Sequence, residues 1–137
     1  GFNSRMYELN SEIINFRLRN MESTQKRRQE IANQYITAFK NLPVHVQSNG
    51  NGLNHNYHKF VIRFDNQYVR DLVKKELNAM IHYEKPLSLN SMYETIAIRK
   101  DECNNAKLAS KTILSLPIHA WLTNHEVNEI ISKVKWL

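Results

Sequence analysis

The 137-residue sequence contains one cysteine, Cys103, so it cannot form an internal disulfide. It contains only three glycines and three prolines, and neither residue type occurs between Gly1 and Pro43. No apolar run approaches the roughly 20 residues that a membrane helix requires. The first ten residues lack the apolar core of a secretion signal. These absences favour a reducing compartment and argue against a membrane span.

The six histidines show no metal-ligand pattern. No two of them have the spacing of an H-x-x-x-H pair, and none clusters with Cys103. The sequence therefore predicts no metal site, and Cys103 is interpreted as inert.

The net charge of +6 is compatible with a polyanionic partner such as nucleic acid, a membrane surface or a phosphorylated small molecule. The densest basic cluster is Lys26–Arg28, flanked by Glu22 and Glu30. We interpret it as a solvated helix face. The basic stretch has no interleaved aromatic residues and the chain has no Gly-rich RNA-binding signature, so nucleic acid is not an expected partner.

Residues 7–40 have the spacing of a long helix. Met6, Leu9, Ile13 and Phe16 recur at helical intervals, and no Gly or Pro interrupts them. We predict one long helix, or two nearly collinear ones, spanning about 50 Å at about 1.5 Å per residue. Such a length exceeds what the remaining chain can cover, so an exposed apolar stripe that requires a partner is expected.

The rest of the chain mixes short strands with helices. Extended segments are predicted at 43–47, 57–64, 79–83 and 115–117, with a turn at 48–56 and a loop around Pro86. Helices are predicted at 65–77, 104–116 and after Thr123. Thr123 and Glu126 have the spacing of a capping box, and the predicted buried face of the last helix is Val127, Ile130, Ile131 and Val134.

These elements predict an α+β fold. A long N-terminal helix is followed by a small, mainly antiparallel sheet with helices packed on one side. We divide the chain into a long helical segment, 1–42, and a small C-terminal α+β domain, 43–137.

Four segments, in order, resemble one protein family. They are GFNSRMYEL with RRQEIANQY, then YHKFVIR, then HYEKPL, then ILSLPIHAWLTNHEVNEII. Together they resemble the C-terminal part of the DegT/DnrJ/EryC1/StrS sugar aminotransferases, pyridoxal-phosphate enzymes with the aspartate-aminotransferase fold (fold type I). Four collinear segments are more specific than any one. The resemblance implies that the chain is about the last third of such an enzyme and forms its small domain.

The resemblance also implies a function for the complete protein. It would be a cytoplasmic homodimer that transfers an amino group from an amino acid, glutamate being expected, to a keto-sugar nucleotide. The product would be an amino sugar for surface polysaccharide. The family's Schiff-base lysine lies upstream, so we expect no catalytic residue here, no activity and no tight pyridoxal phosphate binding by this chain alone. The alternative is an inactive stand-alone interaction or dimerisation domain of the same fold.

Two residue pairs match binding positions of the family. Asn3 and Arg5 match its Asn-x-Arg pair, which reaches the cofactor phosphate and substrate pocket of the partner subunit; alternatively, they only cap the first helix. His82 and Tyr83 match its substrate-facing pair; alternatively, His82 is a partly buried side chain satisfied by a backbone carbonyl. His58 is interpreted as a structural residue within a strand.

The chain departs from the family pattern within the loop. The family pattern is His-Tyr-Pro-x-Pro-Leu-His. In this chain Glu84 replaces its first Pro and Ser88 replaces its second His. These departures concern the details of substrate binding.

Overall fold

The computed structural model describes residues 6–47, 55–93 and 102–136. Its first two elements are helices separated by Asn20. Helix α1 is Glu8–Arg19 and helix α2 is Met21–Phe39. Asn20 interrupts the helical path with φ −103° and ψ 4°, and its side-chain amide donates to the Phe16 carbonyl at 3.0 Å. The predicted helical segment is therefore present as two helices.

Three strands form an antiparallel sheet in the order β1-β2-β3. The strands are β1 Val44–Val46, β2 Phe60–Phe64 and β3 Ile113–Leu116. The remaining helices are α3 Gln67–Leu77, α4 Asn104–Thr112 and α5 Asn124–Lys135, with 3-10 turns at Leu87–Leu89 and Ser91–Tyr93. A single bridge joins Met80 to Ser115 at the outer edge of β3. The predicted α+β class with a small antiparallel sheet is confirmed.

One face of the sheet is buried against helices. Alternate residues of β2, namely Phe60, Ile62 and Phe64, are buried, since successive side chains of a strand point to opposite faces. The helical residues in the same core cluster are Ile31, Ala32, Tyr35 and Phe39 of α2, Val73 of α3, and Val127, Ile130 and Val134 of α5. On the opposite face of the sheet Arg63 is only half-buried and His45 is exposed. The helices therefore pack on one side, as predicted.

Helix α5 begins with the predicted capping box. The Thr123 hydroxyl accepts from the Glu126 backbone N–H at 3.2 Å, and Glu126 Oε2 accepts from the Thr123 backbone N–H at 2.8 Å. The bond from the Thr123 backbone and a second one from its side chain stabilise the carboxylate and lower the pKa of Glu126. Helix α3 is capped by Asn66, whose side chain accepts from Val69 N–H at 2.9 Å.

The prediction was wrong where helix α4 ends. A helix was expected over 104–116, but α4 ends at Thr112 and Ile113–Leu116 pairs with β2 as β3. A short apolar run fits a buried strand as well as a helix end, and here sheet pairing decides. Strand β2 also begins at Phe60 rather than at 57, so His58 precedes it. The predicted turn at 48–56 lies mostly outside the described residues.

Helix α1 contributes nothing to the core. None of its residues is buried, and Leu9 and Phe16 are 72% and 68% exposed. The second half of α2, in contrast, is part of the common core. The expected exposed stripe is thus confirmed and lies on α1 and the start of α2. The division at residue 42 stays a prediction about the complete protein.

The 137-residue chain should self-associate through this stripe, because exposed apolar area of this extent gains free energy when it leaves water. Phe16→Glu should shift the association to higher protein concentration by placing a charge within the stripe. Asn15→Glu adds the same charge at an exposed polar position of α1 and is the control. Sedimentation equilibrium measures both, and a strictly monomeric wild type at high micromolar concentration would refute the expectation.

Candidate functional site

His82 and Tyr83 follow the short segment that joins α3 to the edge of the sheet. Asn78 ends α3 in the left-handed conformation, φ 46°, and reverses the chain direction. The Met80 carbonyl then accepts from Ser115 N–H at 3.3 Å, which fixes the segment on β3. The extended segment predicted at 79–83 is confirmed only in part, since Met80 forms one bridge whereas His82 and Tyr83 lie in a turn.

Tyr83 combines a left-handed backbone with an exposed side chain. Its φ of 65° lies in the left-handed region, which a bulky residue adopts at a cost, and such residues concentrate at functional sites. Its side chain is 78% exposed, and its ring centroid lies 6.5 Å from that of His82. The tyrosine ring therefore makes little contribution to the core and is accessible to a ligand.

His82 carries a buried polar atom that lacks a partner. Nδ1 of His82 is buried and forms no hydrogen bond with any described residue. The side chain as a whole is half-buried. A buried polar atom without a partner is unusual in a folded protein, and a bound ligand is one way to satisfy it.

His82 lies in a basic cleft that the sequence did not predict. The cleft has a volume of about 320 Å³, and His58, Lys59, Ser115 and Ile118 also line it. Its walls come from three parts of the chain: the residues before β2, β3 with the residues after it, and the segment after α3. None of the described residues that line it is acidic. Lys59 carries a positive charge and the two histidines can bind an anion through N–H groups.

Arg28 holds two walls of this cleft together. Its Nη1 donates to the carbonyls of Tyr57 at 3.1 Å, His58 at 3.3 Å and Ile118 at 3.1 Å. One guanidinium on α2 thus ties the segment before β2 to the segment after β3. Charge-assisted hydrogen bonds of this kind are among the stronger ones in proteins.

Arg27 makes a similar connection to the start of α5. Its Nη2 donates to the Leu122 carbonyl at 2.7 Å and to Asn124 Oδ1 at 2.9 Å. The interpretation of Lys26–Arg28 as a solvated face was therefore wrong for two of the three residues, and only Lys26 is exposed. Both arginines bind groups remote in sequence, which a local charge pattern cannot reveal.

A protein-family model matches almost the whole chain. The model of the DegT/DnrJ/EryC1/StrS aminotransferase family matches residues 1–135. The chain belongs to this family. It is 26% identical to the erythromycin biosynthesis sensory transduction protein EryC1 of Saccharopolyspora erythraea, with 98% of the chain covered but 38% of the relative. It is also 26% identical to the dTDP-3-amino-3,6-dideoxy-alpha-D-galactopyranose transaminase of Aneurinibacillus thermoaerophilus, covering 98% of the chain and 37% of that protein.

Solved structures of the family share the fold. The chain superimposes on DesV of S. venezuelae, solved in complex with a ketimine intermediate, with a TM-score of 0.88 and 24% identity, covering 99% of this chain and 38% of DesV. An aminotransferase of the family from Brucella abortus gives a TM-score of 0.87 at 25% identity, covering 99% and 37%. The chain therefore spans less than two fifths of the length of each of these four proteins.

The lysines in the described ranges are all accessible to solvent. Pyridoxal phosphate forms a Schiff base with a lysine whose amine is activated by desolvation or by neighbouring charge. All ten lysines in the described ranges are half-buried or exposed, and none is buried. Asn3 and Arg5 lie outside the described residues. Cofactor binding by these two residues, and a Schiff-base lysine elsewhere in the protein, stay predictions.

The described ranges contain neither a cluster of possible metal ligands nor a helix suited to span a membrane. No three His, Cys, Asp or Glu side chains there are grouped as metal ligands could be. Likewise, none of the described helices combines the length and hydropathy of a membrane span.

Arg28→Met should destabilise the fold by about 2–4 kcal/mol, because it leaves carbonyl groups of two segments without their donor. Urea unfolding monitored by circular dichroism measures the change. Lys26→Met removes the same charge from an exposed position two residues earlier and should change the free energy of unfolding by less than about 0.5 kcal/mol. Equal effects of the two substitutions would contradict the assignment of Arg28 as a structural clamp.

Proposed function

We propose that this chain is the C-terminal part of a pyridoxal-phosphate-dependent nucleotide-sugar aminotransferase. The observation that carries the proposal is the family match over residues 1–135, together with coverage of 38% of EryC1. The complete enzyme transfers an amino group from an amino acid, glutamate being expected, to a keto-sugar nucleotide. Its product serves amino-sugar and surface polysaccharide synthesis in the cytoplasm. The spore coat polysaccharide biosynthesis protein SpsC of Bacillus subtilis, a 26% identical relative, supports this context.

In this proposal His82 and Tyr83 face the substrate. The exposed Tyr83 ring offers an apolar surface and a hydroxyl to a sugar, and the His82 ring offers a nitrogen without a partner among the described residues. Glu84, at the position of a family proline, has a carboxylate oxygen 4.0 Å from Lys74 Nζ. Both side chains are substantially exposed, so this ion pair contributes little stability. Substrate orientation, rather than bond making, is the role proposed for the described residues.

Asn3 and Arg5 are proposed to bind the cofactor phosphate of a partner subunit in a homodimer. An amide and a guanidinium together provide several donors to a phosphate dianion. Pyridoxal phosphate supplies the electron sink of the amino transfer when it is bound in the complete enzyme. No step of that chemistry is assigned to a residue of this chain.

An inactive interaction or dimerisation domain is the second candidate. The observation that favours it is the exposed apolar stripe on α1, which would suit a protein partner. The nucleotide sequence upstream of the Gly1 codon distinguishes the two candidates. A large domain that carries the family's lysine there supports the enzyme, and its absence supports the interaction domain.

The 137-residue chain should bind pyridoxal phosphate only weakly, with labelling spread over several surface lysines. Its exposed amines form Schiff bases without the oriented contacts of a cofactor site. Borohydride reduction followed by peptide mass spectrometry locates the labelled lysines, and phosphate should compete with labelling. Stoichiometric labelling of one lysine together with transaminase activity would overturn the assignment of a missing lysine domain.

In the complete enzyme Arg5→Ala should weaken cofactor retention or substrate binding while the fold stays intact. Arg19→Ala, at an exposed position on α1, is the matched control and should leave both unchanged. Cofactor absorbance after dialysis and steady-state kinetics measure the two effects. Unchanged values for Arg5→Ala would instead assign Asn3 and Arg5 to helix capping.

A further inference from the structure

We propose that the cleft lined by His58, Lys59 and His82 binds the diphosphate of the nucleotide-sugar substrate. The inference rests on the proposed function and assigns two residues, His58 and Lys59, for which sequence reasoning gave no binding role. His58 was interpreted as part of a strand, and Lys59 was not singled out. Their convergence with His82 depends on the tertiary fold.

The charge of the cleft favours a phosphoryl ligand. Lys59 is a cation, and the His58 and His82 rings add N–H donors. The Ser115 hydroxyl is a further donor on the same walls. In the described part of the chain no carboxylate lies within ion-pair distance of Lys59. The lysine charge is thus available to an anion rather than neutralised by the protein.

The buried atom of His82 is the second observation. Nδ1 lies out of contact with solvent and has no partner among the described residues. Lys59 and His82 belong to segments on either side of β3, and both border the same cleft. Because Nδ1 is closed to solvent, the His82 ring must turn toward Lys59 before a phosphoryl oxygen in the cleft can accept from this nitrogen. The ligand would thereby satisfy a polar atom that the fold leaves unpaired.

The size of the cleft suits a diphosphate rather than a whole substrate. Its volume of about 320 Å³ lies at the lower end of the roughly 300–1,000 Å³ of small-molecule sites. The nucleoside and the sugar would therefore extend beyond it. Tyr83, whose exposed ring lies next to His82, is placed to contact one of these parts.

Hydrogen bonds join the walls of the cleft to one another. Arg28 links the carbonyls of His58 and Ile118, and the bridge between Met80 and Ser115 holds the third wall. A preformed site loses less conformational entropy on binding than a mobile one. Arg28 is therefore a positioning residue for this cleft, since its guanidinium is already occupied by backbone carbonyls.

Titration of the 137-residue chain with inorganic diphosphate and with uridine diphosphate tests the proposal. In amide NMR spectra at low salt, the signals of Lys59, His82 and Ser115 should shift with both ligands. Lys59→Met should weaken binding about fivefold, as expected for the loss of one partly exposed charge contact. Lys133→Met, an equal change of charge at an exposed position on α5, should leave affinity unchanged. Circular dichroism should show both variants folded.

Three results of the titration would overturn the proposal. They are shifts centred on other residues, equal losses for Lys59→Met and Lys133→Met, and monophosphate binding as tight as diphosphate binding. The last result would indicate a site for a single phosphate, such as the cofactor's, rather than for a diphosphate.

Kinetics of the complete enzyme separate this inference from the proposed function. Lys59→Met should raise KM for the nucleotide sugar about fivefold, with kcat and the cofactor spectrum unchanged. An active wild type with an unaltered KM in Lys59→Met would refute the cleft assignment and leave the proposed function intact. An inactive wild type would refute the proposed function, and the titration would still decide the cleft.

Discussion

The docking of one face of α2 onto the sheet is the constraint on which the rest of the structure depends. Arg28, Ala32, Tyr35 and Phe39 follow helical spacing along this face. Tyr35 is fully buried, its ring centroid lies 5.0 Å from that of Phe60, and its hydroxyl donates to the Pro117 carbonyl at 2.9 Å. Burial raises the pKa of the Tyr35 phenol above its usual value, so the phenol stays a neutral donor in alkaline solution as well as at physiological pH.

This face also determines where the basic cleft forms. Tyr35 binds the residue that follows β3, and Arg28, two turns earlier, binds the residues before β2 and after β3. The ends of two neighbouring strands are therefore held by a single helix. His58, whose carbonyl also accepts from Arg28, and Lys59 directly precede the first residue of β2, so the fold of the core brings them close to His82.

The two halves of the N-terminal helical stretch have different roles. Helix α1 has apolar residues at helical spacing but buries none of them, whereas α2 contributes four residues to the core. The same apolar spacing therefore occurs on a packed surface in α2 and on an exposed surface in α1. The proposed large domain or a second copy of the chain would cover the exposed one.

Local patterns were sufficient to predict much of the fold. Helical spacing predicted α1, α2 and α5, and the Thr123–Glu126 spacing predicted the capping box. These features depend on residues that are close in sequence. The first half of β3 was mistaken for the end of a helix, since only its pairing with β2 identifies it, whereas the extended segment predicted at 115–117 overlaps its second half. The roles of Arg27 and Arg28 were missed for the same reason: most of their partners are about 30 to 100 residues away.

The candidate site was predictable only in part. His82 and Tyr83 were found through their resemblance to a family pattern, but no sequence signal linked them to His58 and Lys59. A histidine next to a lysine at the start of a strand is an ordinary arrangement. His58 and Lys59 reach the cleft because β2 pairs with β3 in antiparallel orientation, which places the start of β2 beside the end of β3.

Hydrogen exchange of the Phe16→Glu chain at low concentration tests the central claim most directly, because this variant keeps α1 free of self-association. Amide exchange reports the local free energy of opening. We expect the slowest exchange at the core amides of Tyr35, Ile62 and Leu114, intermediate exchange at Lys59 and His82, and the fastest helical exchange in α1. Protection of α1 equal to that of α2, or rapid exchange at Tyr35, would contradict the claim that docking of α2 organises the domain and its cleft.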